Sequence, residues 1–273
     1  MGKYTGKMII SDLDGTLIPR GGVISQENRQ AIEAFVEEGG RFAIATGRTP
    51  EASAGYVKDL PINAPSVFFN GAMLYDWEKS QVLKTMPLTA GDEQQRWPAF
   101  ARRCLQEFPE ACLEVYTADN CHIITPAAND DPRLPHEYYR YAHTELAELT
   151  DTGKTPWLKF FACDQHAHLE KYVALAAEMG VAALGNGFYS EDNYYEFVAR
   201  GVSKGAMVAA IRQQLPGIKI IACGDYLNDN EMLVAADVGV AAAGAHADTK
   251  KIADHVGCAV EDHLLAWTIN NII

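Results

Sequence analysis

The chain has no run approaching the ~18 consecutive apolar residues that a membrane-spanning helix needs. Its opening stretch, Met1 to Lys7, also has no apolar core of the kind that marks a secretory leader. A soluble, cytoplasmic protein without a membrane partner is therefore expected. Gly2 stands where a myristoyl group would be attached, but that motif asks for Ser or Thr at the place held by Gly6. Positive charge is scarce: 23 Lys and Arg face 36 Asp and Glu, for a net charge of −13. That balance excludes nucleic acid as the main partner, since a phosphate backbone demands a basic footprint. An anionic ligand would need cations gathered locally, because the general negative field is screened over ~8 Å. The six cysteines form no C-x-x-C pair. Four of their flanking sequences read as apolar strand or helix, which predicts buried reduced thiols rather than zinc ligands or disulfides. Internal repeats, low-complexity tracts and Gly/Ser linkers are missing too, so organisation has to be read from periodicity.

What is present is a 273-residue chain that is 48% hydrophobic, enough for one large core or for a core domain carrying a smaller one. Five short apolar runs stand out: Met8 to Ser11, Arg41 to Ala45, Ser66 to Phe69, Ile218 to Cys223 and Val238 to Ala242. Such runs suit strands buried on both faces of a parallel sheet. Between the first two, Ser25 caps a helical pattern with Ile32, Phe35 and Val36 on one face and Gly39-Gly40 as its stop. Thr49-Pro50-Glu51 opens a second helix, and Ser203 to Leu215 reads as a third. The alternation predicts an α/β fold with a doubly wound parallel sheet.

The middle of the chain has a different texture. Helical stretches at Thr89 to Phe108, interrupted by Pro98, and at Gln165 to Met179 mix with strand-like runs at Leu113 to Thr117, Cys121 to Thr125 and Trp157 to Ala162. An inserted α+β domain is expected over residues 84–187, with residues 1–83 and 188–273 forming a discontinuous core domain.

Asp12, Thr46, Asn70 and Asp225 follow four of the five core strands. In a parallel sheet the carboxyl ends of the strands share one edge, where open α/β folds bind ligands. Asp12-Leu13-Asp14-Gly15-Thr16 places two carboxylates one residue apart, so that one can attack while the other handles protons. Read alone, the Asp-Gly pair is also an ordinary turn. Thr46-Gly47-Arg48, with a hydroxyl, an open backbone N–H and a guanidinium ahead of a helix, has the composition of a phosphate cradle or of a plain strand-to-helix turn. Lys204 follows the capping Ser203, where the helix dipole disfavours a cation by ~0.3–1 kcal/mol unless an anion lies near. Asp225, Asn228 and Asp229 offer oxygen atoms only, a set that suits Mg²⁺, although Asp229 also reads as a helix cap.

In this order, each at the carboxyl end of a predicted strand or the start of a helix, the four segments closely resemble the haloacid dehalogenase-like hydrolase superfamily, in its Cof-like branch with a type IIB cap. The resemblance spans the whole chain in architecture. It implies a Mg²⁺-dependent phosphatase of small phosphorylated metabolites, sugar phosphates and similar compounds among them. Asp12 would be nucleophile and metal ligand, and Asp14 general acid, then base, giving its backbone oxygen to the metal. Thr46, Gly47 and Lys204 would hold the phosphoryl group. Asp225 would complete the protein ligands, with Asn228 and Asp229 supporting phosphate and metal waters. Arg48 and Asn70 flank the site in the family, as bracing groups or as phosphate contacts, and Glu196 matches a family position without an assigned role. The insertion would close over the substrate, with Tyr116, His122, Trp157, Lys159 and Tyr189 as candidate contacts, although aromatic residues in strands are more often core. A phosphotransferase or mutase sharing the aspartyl-phosphate, a dehalogenase, and a silent metabolite-binding regulator are the competing readings.

Overall fold

In the computed structural model, residues 2–91, 95–130 and 141–273 are described. They fall into two compact units, Met1–Lys84 with Ser203–Ile273, and Thr85–Val202.

The first unit is built on a parallel sheet. β1 (Lys7–Ser11) lies between β2 (Arg41–Ile44) and β12 (Lys219–Gly224), and β13 (Val238–Ala241) and β14 (His255–Val256) extend the sheet in the order β14-β13-β12-β1-β2. Met8, Ile9, Ile10, Phe42, Ala43, Ile44, Ile220 and Ala222 are wholly buried, as continuous apolar strands of a parallel sheet require. The connecting helices begin where capping chemistry places them. Asn28 N donates to Ser25 Oγ at 3.2 Å to open α1 (Gln26–Glu37). Ala52 N donates to Thr49 Oγ1 at 2.9 Å, with Pro50 in the first turn, to open α2 (Pro50–Val57). Ala206 N donates to Ser203 Oγ at 3.1 Å to open α5 (Lys204–Gln214). Each cap satisfies one amide that the helix leaves without a partner.

The third apolar run departs from the expectation of an ordinary parallel strand. β3 (Ser66–Phe68) meets β2 through a single parallel bridge, Ala45 to Val67, and otherwise pairs antiparallel with β4 (Met73–Asp76) in a three-stranded sheet completed by β5 (Gln81–Thr85). The cause is local: Phe69, Asn70 and Gly71 all take positive φ (50°, 54° and 113°), which turns the chain straight back along its own edge. Gly71 is required there, since a Cβ would lie 2.4 Å from the carbonyl oxygen of Ser203.

The second unit is a six-stranded sheet ordered β10-β11-β9-β6-β7-β8, where β6 is Cys112–Tyr116, β7 Cys121–Ile123, β8 Tyr141–His143, β9 Lys159–Cys163, β10 Gly185–Glu191 and β11 Tyr194–Ala199. α3 (Arg96–Glu107) and α4 (His166–Glu178) contribute Trp97, Phe100, Leu169 and Tyr172 to a core that also takes Val115, Phe160 and Phe197 from the strands. The chain returns to the first unit at Ser203, not at 188, because β10 and β11 are paired in register with β9 and belong to this sheet. The stretch from Thr89 does not begin a helix. Leu88 N donates to Trp157 O at 2.7 Å and Thr89 Oγ1 accepts from Trp157 N at 3.0 Å, which ties these residues to the β9 approach, and α3 starts at Arg96. Pro98 interrupts nothing, since it stands in the first turn, where no i−4 hydrogen bond is lost.

All six cysteines are free thiols, and Cys104, Cys112, Cys121 and Cys223 are buried. No helix among the described residues is long and apolar enough to cross a membrane.

Candidate active site

The loop after β1 folds onto itself: Gly15 N donates to Ile18 O at 2.8 Å and Ile18 N to Leu13 O at 2.7 Å. Gly15 has φ +80°, and a Cβ there would lie 2.3 Å from Asp225 Oδ2. The turn is therefore both a backbone requirement and the means by which this loop approaches the end of β12. From that loop, Thr16 Oγ1 donates to Asp225 Oδ1 at 3.1 Å, a contact that sequence reasoning missed although Thr16 sits inside the first motif. A hydroxyl two residues beyond an acid pair was the available signal.

Lys204 closes the site from the first turn of α5. Its Nζ donates to Asp12 Oδ1 at 2.6 Å and to Asp229 Oδ1 at 2.7 Å, and its side chain is wholly buried. The second oxygen of Asp229 accepts from the backbone N–H of Asp225 at 2.9 Å and of Tyr226 at 3.2 Å. Asp229 thus combines the two readings its sequence left open, a capping acid and a member of the acidic cluster. The anion that the position of Lys204 called for is a pair of carboxylates.

One oxygen from each of Asp12, Asp225 and Asp229 lies within 4.8 Å of the others, the only such group of candidate metal-holding side chains among the described residues. Burial, followed by the charges of Asp229, Asp225 and Asp14, pushes the Asp12 carboxyl well above its usual range, against the pull of Lys204. Burial and the charge of Asp229 likewise raise Asp225, to about 7. For Lys204 burial works to lower the value, yet the two carboxylates outweigh it and hold the ammonium charged. Three acids around one lysine leave negative charge in excess. An oxygen-only set of this kind fits a small hard divalent cation, which would relieve that excess.

The remaining motif residues are placed around this cluster. Thr46 is buried, and its Oγ1 accepts from Arg48 N at 3.1 Å. The Arg48 guanidinium donates to both Asp14 oxygens, Nε to Oδ2 at 2.7 Å and the terminal nitrogen to Oδ1 at 2.9 Å, so it braces the second acid of the first motif. Asn70 links three strand-end loops. Its N–H donates to Thr46 O at 3.0 Å, its Oδ1 accepts from Asn228 Nδ2 at 3.0 Å, and its amide lies 2.9 Å from where a Cβ on Gly47 would be. Its left-handed backbone and its near-complete burial both follow from that bridging role.

The insertion candidates have other settings. Trp157 is core, with Nε1 donating to Leu149 O at 3.0 Å. Lys159 is buried against Glu196 at 3.0 Å and over the Tyr116 ring at 4.2 Å. His122 Nδ1 lies 3.0 Å from Thr144 Oγ1, and Tyr189 is half-buried against His166.

A parallel sheet with carboxylates and one buried ammonium assembled at the carboxyl ends of its strands defines an α/β enzyme suited to an anionic group and a dication. The chain belongs to the haloacid dehalogenase-like hydrolase family, whose sequence model matches residues 9–269. Among the relatives, it is 24% identical to the phosphatase YwpJ of Bacillus subtilis over 98% of this chain and 100% of that one. It is 27% identical to the pyridoxal phosphate phosphatase YbhA of Escherichia coli over 88% and 89% of the two chains. Among solved structures, a haloacid dehalogenase-like hydrolase from B. subtilis superposes with a TM-score of 0.82 at 24% identity, covering 98% of this chain and 100% of the other.

The metal-free protein carries a testable cost of this arrangement. A carboxyl whose folded value is raised to about 7 disfavours folding once ionised. The penalty is absent below pH 4, grows as the pH climbs toward 7, and is complete above it. Asp225→Asn in chelator-treated protein is therefore expected to stabilise the fold at pH 8 by on the order of 2–4 kcal/mol, and not at pH 4. Urea unfolding at the two pH values measures the difference, and equal effects at both would refute the assignment.

Proposed function

We propose that this enzyme, a phosphatase by its family and relatives, hydrolyses phosphomonoesters of small metabolites, sugar phosphates and similar compounds among them. It would do so with Mg²⁺ and through an aspartyl-phosphate on Asp12. The observation that carries the reading is the placement of Asp12 at the end of β1, in contact with Lys204 and within 4.8 Å of Asp225 and Asp229 oxygens.

In the first step a carboxylate oxygen of Asp12 attacks phosphorus and the bond from phosphorus to the ester oxygen breaks. Asp14 gives the departing oxygen its proton. In the second, Asp14 takes a proton from water as that water attacks phosphorus, the bond to Asp12 breaks, and inorganic phosphate leaves. Arg48 keeps the Asp14 carboxyl in place between the two steps. Thr46, Gly47 and Asn228 cradle the phosphoryl oxygens, and Lys204 offsets their charge. Asp12, the backbone oxygen of Asp14 and Asp225 would hold the metal ion, with Asp229 behind them. When bound, the ion supplies charge stabilisation to the transferring group and shields it from the attacking carboxylate.

A phosphate-release screen over phosphorylated metabolites, run with Mg²⁺ and with a chelator, tests this directly. Turnover is expected to fall at least about a hundredfold without the metal. Metal-independent release would overturn the Mg²⁺ dependence, and transfer of the phosphoryl group to an added alcohol in place of water would overturn the hydrolase assignment. Ligand binding without turnover would favour a regulator.

A further inference from the structure

The second unit carries a cleft that the proposed reaction does not use. It lies between one flank of α4 and the edge strand β10, has a volume of about 360 Å³, and is lined by Glu170, Val173, Gly187, Phe188, Tyr189 and Tyr195. The sequence builds it by two periodicities. His166, Glu170 and Val173 recur at helical spacing on one flank of α4. Gly187 and Tyr189 stand directly across from Phe197 and Tyr195 on the neighbouring strand.

Three features give the cleft a chemical preference. Its aromatic walls are set at an angle, Tyr189 against Tyr195 with centroids 4.9 Å apart and planes at 80°, and His166 stacks on Tyr189 at 5.0 Å. Rings of this kind carry a negative face that attracts a cation. The Tyr195 side chain is more than nine-tenths buried, its hydroxyl lies 2.5 Å from where a Cβ on Gly187 would be, and it makes no hydrogen bond among the described residues. Any larger residue at 187 would fill the space that this hydroxyl faces. Glu170 makes no ion pair or hydrogen bond among the described residues, and burial together with the charges of Glu170 and Asp192 raises the Tyr189 hydroxyl. An acid beside two ring faces, with a hydroxyl free to accept, is the chemistry that receives a small organic cation.

We propose that this cleft binds a small organic cation of the alkylammonium class. The Glu170 carboxylate supplies the counter-charge and Tyr189 and Tyr195 the ring faces. The site lies within the second unit and does not depend on the phosphatase reading, since binding can be measured without turnover.

Choline and its uncharged carbon counterpart 3,3-dimethylbutan-1-ol, titrated into the full-length protein by calorimetry, separate charge recognition from simple apolar filling. Choline is expected to bind saturably and at least about fivefold more tightly than the neutral alcohol. Glu170→Gln, an exposed substitution that leaves the core untouched, is expected to weaken choline about fivefold and the alcohol hardly at all. Tyr189→Leu should weaken choline further, with unchanged thermal unfolding confirming the fold. Equal affinity for the two probes, no saturation by choline, or choline binding indifferent to Glu170→Gln would each overturn the proposal.

Discussion

Asp12→Asn is expected to lower turnover of para-nitrophenyl phosphate by on the order of ten-thousandfold or more, with the fold intact. An amide cannot serve as the attacking group, and nothing else at the end of β1 can replace it: the neighbouring acid, Asp14, is held by both nitrogens of Arg48. Retention of the fold has its own argument. The asparagine oxygen can still accept from Lys204, which now donates to Asp12 at 2.6 Å. The substitution also replaces a carboxyl whose ionisation is disfavoured by burial with a neutral amide. The thermal midpoint of the metal-free variant should therefore equal or exceed that of the parent. Turnover within tenfold of the parent would end the covalent assignment, and a loss of activity accompanied by unfolding would leave Asp12 a structural group instead.

Lys204→Met is expected to show the opposite balance, with stability and chemistry lost together. The ammonium is wholly buried between Asp12 and Asp229, so its removal leaves two buried carboxylates without their counter-charge, a change that costs about 3–5 kcal/mol. The loss should be partly restored by Mg²⁺, because a dication held by Asp12 and Asp225 supplies the charge that the lysine no longer does. The same variant should lower kcat/KM by about a hundredfold to a thousandfold, since a preorganised positive charge at the transferring group is gone. Denaturant unfolding with and without Mg²⁺, beside steady-state kinetics, measures both parts. A variant with parental stability would mean that the two carboxylates do not depend on Lys204, and unchanged kinetics would remove it from the site.

Much of this arrangement is legible from local pattern. Five apolar runs, three capped helices and four strand-end motifs depend on contiguous residues, and capping or alternation fixes them without reference to distant parts of the chain. Ser25, Thr49 and Ser203 cap where short polar side chains precede apolar periodicity. The short helix α6 (Asn230–Ala235) was legible from the acid that opens it, Asp229. Among the elements that escaped, α7 (Ala247–Ile252) and β14 are too short to show a period, and β10, β11 and α8 (Leu264–Asn271) had no turn signal strong enough to divide them from their neighbours.

The order of the motifs, the identity of each reactive side chain and the demand for a local cation follow from the sequence itself, because residue type and strand-end position are properties of adjacent residues. Only the tertiary structure decided which groups meet: Lys204 bonds to Asp12 across 192 positions of sequence, Asn70 to Asn228 across 158, and Thr16 to Asp225 across 209. It also decided that β10 and β11 stay with the second sheet and that Asn70 ties three loops together. Contacts of that range depend on how the sheet stacks its strands side by side, and no periodicity along the chain records which strand becomes whose neighbour.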